Sequence, residues 1–228
     1  MSFNRLIPFL LCFLFGGTVM AQSTYEAGLL PAFNLNKKLK NDWSLNSRIE
    51  SRQLFLSGGS NEDRISQYEY VLTDISMIAA KKVGLDSRIA GGYLMRIEDG
   101  EIIHRFSQQY TIVKRKFGFR LAHRFLTDQT ISPVEKTEFR LRYRVTAEIP
   151  LNGKSVDPKE FYLRLNNEYV NSLQDFNYDL EIRLVPLLGY AINTKNKVEI
   201  GLDYRIDSFL ANNPSQSFWT SLNWFIDL

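Results

Sequence analysis

From residue 24 to the last residue, apolar and polar side chains alternate with a period of two in one segment after another. The clearest segment is 137–149. Phe139, Leu141, Tyr143, Val145, Ala147 and Ile149 share one parity, and Arg140, Arg142, Arg144, Thr146 and Glu148 share the other. A strand turns successive side chains to opposite faces, so this segment has one apolar and one ionic face. Wound as a helix, the same residues would scatter charge around the whole circumference. The pattern returns in 117–125, 160–170, 178–192 and 197–207, with more exceptions in 43–56, 84–97 and 101–113, and most weakly in 24–35 and 64–80. Turn-forming residues fall between these segments, at 36–42, 57–61, Glu98-Asp99-Gly100, Asn152-Gly153, 194–197 and Asn212-Asn213-Pro214. No second composition regime marks a boundary, so one all-β domain accounts for residues 22–228.

Two architectures bury so amphipathic a sheet. A soluble sandwich turns its apolar face inward, whereas a transmembrane barrel turns it to lipid and its ionic face to the lumen. Segment length favours the barrel. Ordinary strands run about 5–6 residues, and these segments approach or exceed the 9–11 that cross a bilayer on a tilt. Aromatic residues make up 13% of the chain and gather near segment ends (Phe117, Phe125, Phe139, Phe161, Tyr169, Tyr178, Tyr190), as in the interfacial girdles of barrels. The chain also ends on an alternating strand, Phe218, Thr220, Leu222, Trp224, Ile226 and Leu228. Outer-membrane barrels of Gram-negative bacteria end in such a strand, which the barrel-assembly machinery recognises. Their usual last residue is Phe, and here it is Leu228.

The first 21 residues fit a secretory signal peptide. Arg5 supplies the positive charge, Leu6 to Phe15 the apolar core, and Val19-Met20-Ala21 a cleavage site after Ala21. This core is too short for a spanning helix. Cys12, the single cysteine, lies inside it after Leu11 rather than at a lipidation site, so the exported chain keeps no cysteine and needs no disulfide. The expected fold is therefore an all-β, single antiparallel transmembrane β-barrel of ten to twelve strands in the outer membrane, with lipid and the assembly machinery as partners. Eleven segments can be counted, but bacterial single-chain barrels have an even number of strands. The shorter turns, near Val83-Gly84, Phe117-Gly118 and Lys195-Asn196, fall on the side of the C-terminus. The longer ones, at 57–63, 128–136, 172–177 and 210–216, fall on the other. That regularity supports ten strands from Trp43 onward. Residues 22–36 are then an extra element: two short strands making twelve, or a rim or lumen plug suited to Pro31.

The inward parity collects Arg48, Glu50, Arg52, Arg88, Arg96, Arg120, Arg124, Arg140, Arg142, Arg144, Glu148, Arg164, Glu168, Asp179, Glu181, Arg183, Glu199, Asp203 and Arg205. Either these line an anion-selective passage or they form an Arg–carboxylate network that fills a narrow lumen. The acidic residues concentrate on later strands, so they are expected to face the Arg cluster across the lumen, and the network is the preferred reading. His123 shares the parity of Phe125 and so points to lipid or the interface, and the face of His104 is ambiguous. Ser107 and Ser132, the nearby serines, lie in no nucleophile motif. No phosphate loop, His-x-x-x-His pair or Asp-rich calcium loop occurs, so no cofactor, metal or catalytic residue is assigned. The formal charge of +3 comes from Arg residues spaced along strands, which argues against nucleic-acid binding.

The run Phe139-Arg140-Leu141-Arg142-Tyr143-Arg144 resembles a large exported bacterial family, domain-of-unknown-function family 2490 of predicted outer-membrane proteins. The resemblance extends to His123-Arg124-Phe125, to Phe161-Tyr162-Leu163-Arg164-Leu165-Asn166-Asn167-Glu168-Tyr169 with Asn171, and to Arg183 with Leu188-Gly189-Tyr190. It implies a β-barrel of unknown activity and carries over no catalytic residues. The expected function is structural or small-solute passage. A lipid-modifying barrel enzyme and a soluble periplasmic β-sandwich that binds a ligand are the alternatives.

Overall fold

A computed structural model of the protein describes residues 24–59, 62–116, 118–211 and 213–228. The expected leader 1–21, with its cleavage site, lies outside the described residues. Eleven strands follow in chain order: β1 (Thr24–Lys38), β2 (Trp43–Gly59), β3 (Glu62–Lys82), β4 (Ser87–Glu98), β5 (Glu101–Lys116), β6 (Phe119–Ile131), β7 (Glu138–Pro150), β8 (Phe161–Gln174), β9 (Asn177–Ala191), β10 (Asn196–Asp207) and β11 (Ser215–Asp227). Each pairs with its sequence neighbour, and β1 also pairs with β11, so one sheet closes on itself as a barrel. It is not the two stacked sheets of a sandwich.

The even-number expectation fails at β1. Residues 24–38 are neither split nor a plug but one full strand of the wall. With eleven strands, the first and last must run the same way, and Tyr25–Asn36 pair in parallel with Gln216–Asp227. The antiparallel expectation is therefore corrected at this one seam. Pro31 sits opposite Leu222 across it, while the ladder to β2 breaks between Leu29 and Ala32. Proline has no N–H to donate, so it is tolerated where pairing on one side is interrupted. A register shift at Ala27/Gly28 adds a bulge beside it.

The odd count also places Thr24 and Leu228 at opposite ends. The β1–β2, β3–β4, β5–β6, β7–β8 and β9–β10 ends meet at the Leu228 end, and the β2–β3, β4–β5, β6–β7, β8–β9 and β10–β11 ends meet at the other. The length asymmetry expected from the sequence is not present. Around 57–63 and 172–177 the strands extend into pairing, Gly59 with Glu62 and Gln174 with Asn177. Asp175 and Phe176 take φ of 49° and 63°, and Asp99 and Gly100 take 50° and 77°. Two consecutive left-handed residues make the tight turn whose twist matches a hairpin. The longest connection, 151–160, lies at the Leu228 end instead.

Parity assigns the two faces. Outward positions of β4 and of β6 to β11 carry no Lys, Arg, Asp or Glu, and their large apolar side chains are exposed, such as Phe125, Leu141, Ile200 and Trp224. The fully enclosed side chains lie at inward positions. These positions hold Leu30, Leu72, Leu126, Tyr162, Val170, Leu187 and Trp219 beside Asp128, Glu148, Glu168, Glu199, Asp203 and Arg205. The core of this molecule is the inside of the barrel.

Candidate functional site: an ionic core inside the barrel

The register explains why Arg residues crowd onto neighbouring strands. Arg124, Arg144, Glu168, Arg183 and Arg205 are successive lateral partners on β6, β7, β8, β9 and β10. They form one row across the inner wall, with a single carboxylate at its centre. Glu168 accepts from Arg144 at 2.7 Å, Arg124 at 2.8 Å and Arg142 at 2.9 Å, and Arg183 stands 3.8 Å away. Among the described residues Arg124 and Arg144 pair with no other carboxylate. Glu168 is only 1% exposed. A charge so far out of water is tolerated only with partners on all sides.

Two further carboxylates organise the rest of this wall. Asp128 on β6, also 1% exposed, takes Arg140 at 2.7 Å, with Arg142 at 3.6 Å and Arg105 at 3.8 Å. Arg142 therefore links the Asp128 and Glu168 clusters. Arg164 on β8 bridges Glu148 and Glu199, each at 2.9 Å, and the Tyr162 hydroxyl donates to Glu199 at 2.7 Å. Arg120 reaches Glu148 at 3.8 Å. Elsewhere Asp74 pairs with Arg96 at 2.8 Å, Asp203 with Arg205 at 2.9 Å, Glu181 with Arg183, and Glu50 with Arg48.

These pairs are mostly lateral, which corrects the expectation of acids facing the Arg cluster across the lumen. Asp128 lies on an Arg-bearing strand itself, and Glu148 and Glu168 lie on β7 and β8 beside it. The physical reason is reach: adjacent strands are about 5 Å apart, well within the length of an Arg side chain. Asp74, Arg105, Asp128, Tyr162 and Trp219 belong to this core and were not singled out from the sequence. Asp128 shares the parity of Arg120 and Arg124, and β6 runs on to Ile131, past the start of the loop expected at 128–136. The parity of Arg105 was legible likewise once the face of β5 was fixed.

Apolar side chains fill the lumen beside the ions. Trp219, 1% exposed, stands among Ser217, Ser221 and Asn223 on the inward side of β11, with the Arg52 guanidinium 5.0 Å from its ring centroid. Among the described residues Arg52 forms no ion pair. Tyr162 lies across the wall at Gly189, where an added Cβ would fall 2.2 Å from the ring. Gly189→Ala should push the ring away and cost the Tyr162–Glu199 hydrogen bond, about 2 kcal/mol for a bond to a charged group. Urea unfolding of the purified barrel measures it, and an unchanged midpoint would refute the packing argument.

The two histidines lie on the outer face. His104 is hydrogen-bonded to Tyr93 at 2.7 Å and His123 to Tyr143 at 2.9 Å. Ser107 has the inward parity of β5, opposite to His104, and Ser132 sits in the 132–137 turn, so neither forms a pair with a histidine. Arg88 and Asp179 have inward parity without an ion pair among the described residues. Phe218, Leu222, Trp224, Ile226 and Leu228 share the outward parity at the C-terminus. Among the described residues no group of three His, Cys, Asp or Glu side chains is arranged to hold a metal.

A family model described as "Protein of unknown function (DUF2490)" matches residues 27–216. No curated protein and no solved structure matches the chain. The matched span runs from β1 to the start of β11 and contains the lumen ion pairs described above, and on that match the chain belongs to the family of unknown function DUF2490.

Proposed function

We propose that this protein is an outer-membrane β-barrel with a sealed lumen, acting as a structural element rather than as an open diffusion pore. The observation that carries the reading is the inverted distribution of its side chains. Charge is buried inside, around Glu168 and Asp128, and the apolar surface is exposed outside. In water that outer surface would be a severe aggregation liability, whereas lipid accommodates it. The closed sheet leaves no edge unpaired, which lipid requires. The shortest strands have 12 residues, about 40 Å of chain, and a tilt of ~40° projects them onto about 30 Å of membrane. Aromatic pairs stand towards both ends of the wall, Phe161 with Tyr190 at 4.8 Å near the Leu228 end and Tyr204 with Phe218 at 4.9 Å near the other. The apolar outward face of β11, ending in Trp224, Ile226 and Leu228, suits recognition by barrel-assembly machinery; on this reading Leu228 lies in the periplasm. Export through a leader cleaved after Ala21 completes this reading.

Sealing follows from packing. Tyr162, Leu72, Glu168, Asp128, Trp219 and Leu30, at 0–2% exposure, are the bulkiest fully enclosed side chains, and all point inward. Cell fractionation should recover the protein with outer membranes, in a form whose gel mobility shifts on boiling. Planar bilayers containing the purified protein should show no stepwise conductance. Recovery in the soluble periplasmic fraction would overturn the membrane assignment, and steady ohmic steps would overturn the seal.

A further inference from the structure

At the Leu228 end the charge balance inside the barrel fails. Arg115, Arg120, Glu148 and Arg164 are successive lateral partners on β5, β6, β7 and β8, again a row with one carboxylate. Here the carboxylate is already engaged, by Arg164 at 2.9 Å and Arg120 at 3.8 Å. Arg115 and Lys197 on the inner face, and Lys116 at the outward-facing end of β5, form no ion pair among the described residues. The Lys116 ammonium sits 6.0 Å from the Phe119 ring centroid, and that of Lys197 5.7 Å from the Tyr162 ring centroid. The rings orient these side chains but supply no net countercharge.

Arg115, Lys116, Arg120 and Lys197 line one cavity of about 260 Å³. Its outer wall is the longest connection of the barrel, 151–160, which contributes Lys154, Ser155 and Val156. That connection is held by its own bonds: Glu160 accepts from Asn152 Nδ2 at 2.9 Å and from the Asp157 N–H at 3.2 Å. The Asp157 carboxylate accepts from Ser155 Oγ at 3.3 Å, so both carboxylates of the loop are engaged within it, and neither lines the cavity. The result is an ordered, water-accessible recess where Arg115, Lys116, Arg120 and Lys197 meet a single acidic side chain. Glu168 and Asp128 resolve the same crowding deeper in the barrel with protein carboxylates, and this mouth does not.

We propose that the recess is a binding site for a small phosphate dianion, either inorganic phosphate or the phosphomonoester of a headgroup. The volume suits it, since a water takes about 30 Å³ and the cavity has room for a phosphate with a few waters but not for a large acid. The donors suit it as well, because two guanidinium forks and two ammonium groups match the oxygens and double charge of a phosphate better than a monovalent ion. The site goes beyond the structural role proposed above and does not depend on which membrane holds the barrel.

The test uses the full chain folded in detergent and titrated with inorganic phosphate at constant ionic strength, with chloride as the reference. A second arm uses the barrel reconstituted in phosphatidylcholine vesicles with and without phosphatidic acid. Saturable phosphate binding is expected, weakened about tenfold or more in Arg115→Gln/Lys197→Gln, a loss in line with charge-assisted contacts. It should be unchanged in Lys136→Gln, whose side chain pairs with Asp175 at the opposite end. Binding in the first arm identifies free phosphate as the ligand, and selective retention of phosphatidic acid alone identifies a headgroup. Unboiled gel mobility reports folding, and if the double variant fails to fold, Lys197→Gln carries the test with about a threefold loss. Equal binding by variant and parent, or no preference for phosphate over chloride in the first arm together with no retention of phosphatidic acid in the second, overturns the proposal.

Discussion

Glu168→Gln should destabilise the barrel by about 3–5 kcal/mol, the cost of removing one partner from a buried ionic cluster. The substitution keeps size and shape and removes only the charge. Arg124 and Arg144 then lose their one counterion among the described residues, and Arg142 and Arg183 are left to Asp128 and Glu181. Four guanidinium groups within a few ångströms of a 1% exposed position repel one another in a medium that screens poorly. The measurement is the urea midpoint of the purified barrel in detergent, followed by loss of the heat-modifiable gel species. Lys136→Gln is the comparison, because its partner Asp175 lies on an exposed turn and such pairs are worth about 0–1 kcal/mol. If Glu168→Gln unfolds with the parent, the cluster is not what holds β6 to β9 in place.

The second large effect is expected at the seam. Gly28 faces Trp219 across the parallel β1–β11 pair, next to the bulge at Ala27. A Cβ built there falls 2.1 Å from the Gln53 carbonyl oxygen and 2.7 Å from the Trp219 ring. The carbonyl belongs to the backbone of β2 and cannot swing aside as a side chain can. Gly28→Ala must therefore separate β1 from β2, and it also crowds the Trp219 ring against which the Arg52 guanidinium is stacked. Overpacking costs about 1–3 kcal/mol where side chains relax, and more is expected here because a strand must move. The folded, unboiled gel species should fall well below that of the parent, whereas Gly91→Ala, with open space at its Cβ, should leave it intact. Equal folding of the two variants would show that β1 does not close the wall in this way.

How much of this was legible in the sequence differs between strands. On β7, β8, β10 and β11 the alternation fixes the face of each side chain, because a strand admits only two sides. The ionic residues of 137–149 and 160–170 could therefore be assigned to one face from their parity alone. On β5 the same signal is blurred by His104 and Gln108 at outward positions, which left Arg105 unassigned. Loop boundaries were less legible. The hairpin at Asp175-Phe176 has one turn-forming residue and no glycine, and only the pairing of Gln174 with Asn177 reveals how tight it is.

The sequence alone determined that this chain makes one amphipathic sheet with charge on one side and apolar groups on the other. That information is local, written into a period of two. Closure, strand number and the choice of ionic partners were decided by tertiary structure. Each depends on register, the lengthwise offset between strands, and alternation is unchanged when a strand slides by two residues. Only the closed sheet pairs β1 with β11 in parallel, makes the count odd and sets Glu168 between Arg144 and Arg183. That register brings Arg residues from neighbouring strands into reach of so few carboxylates.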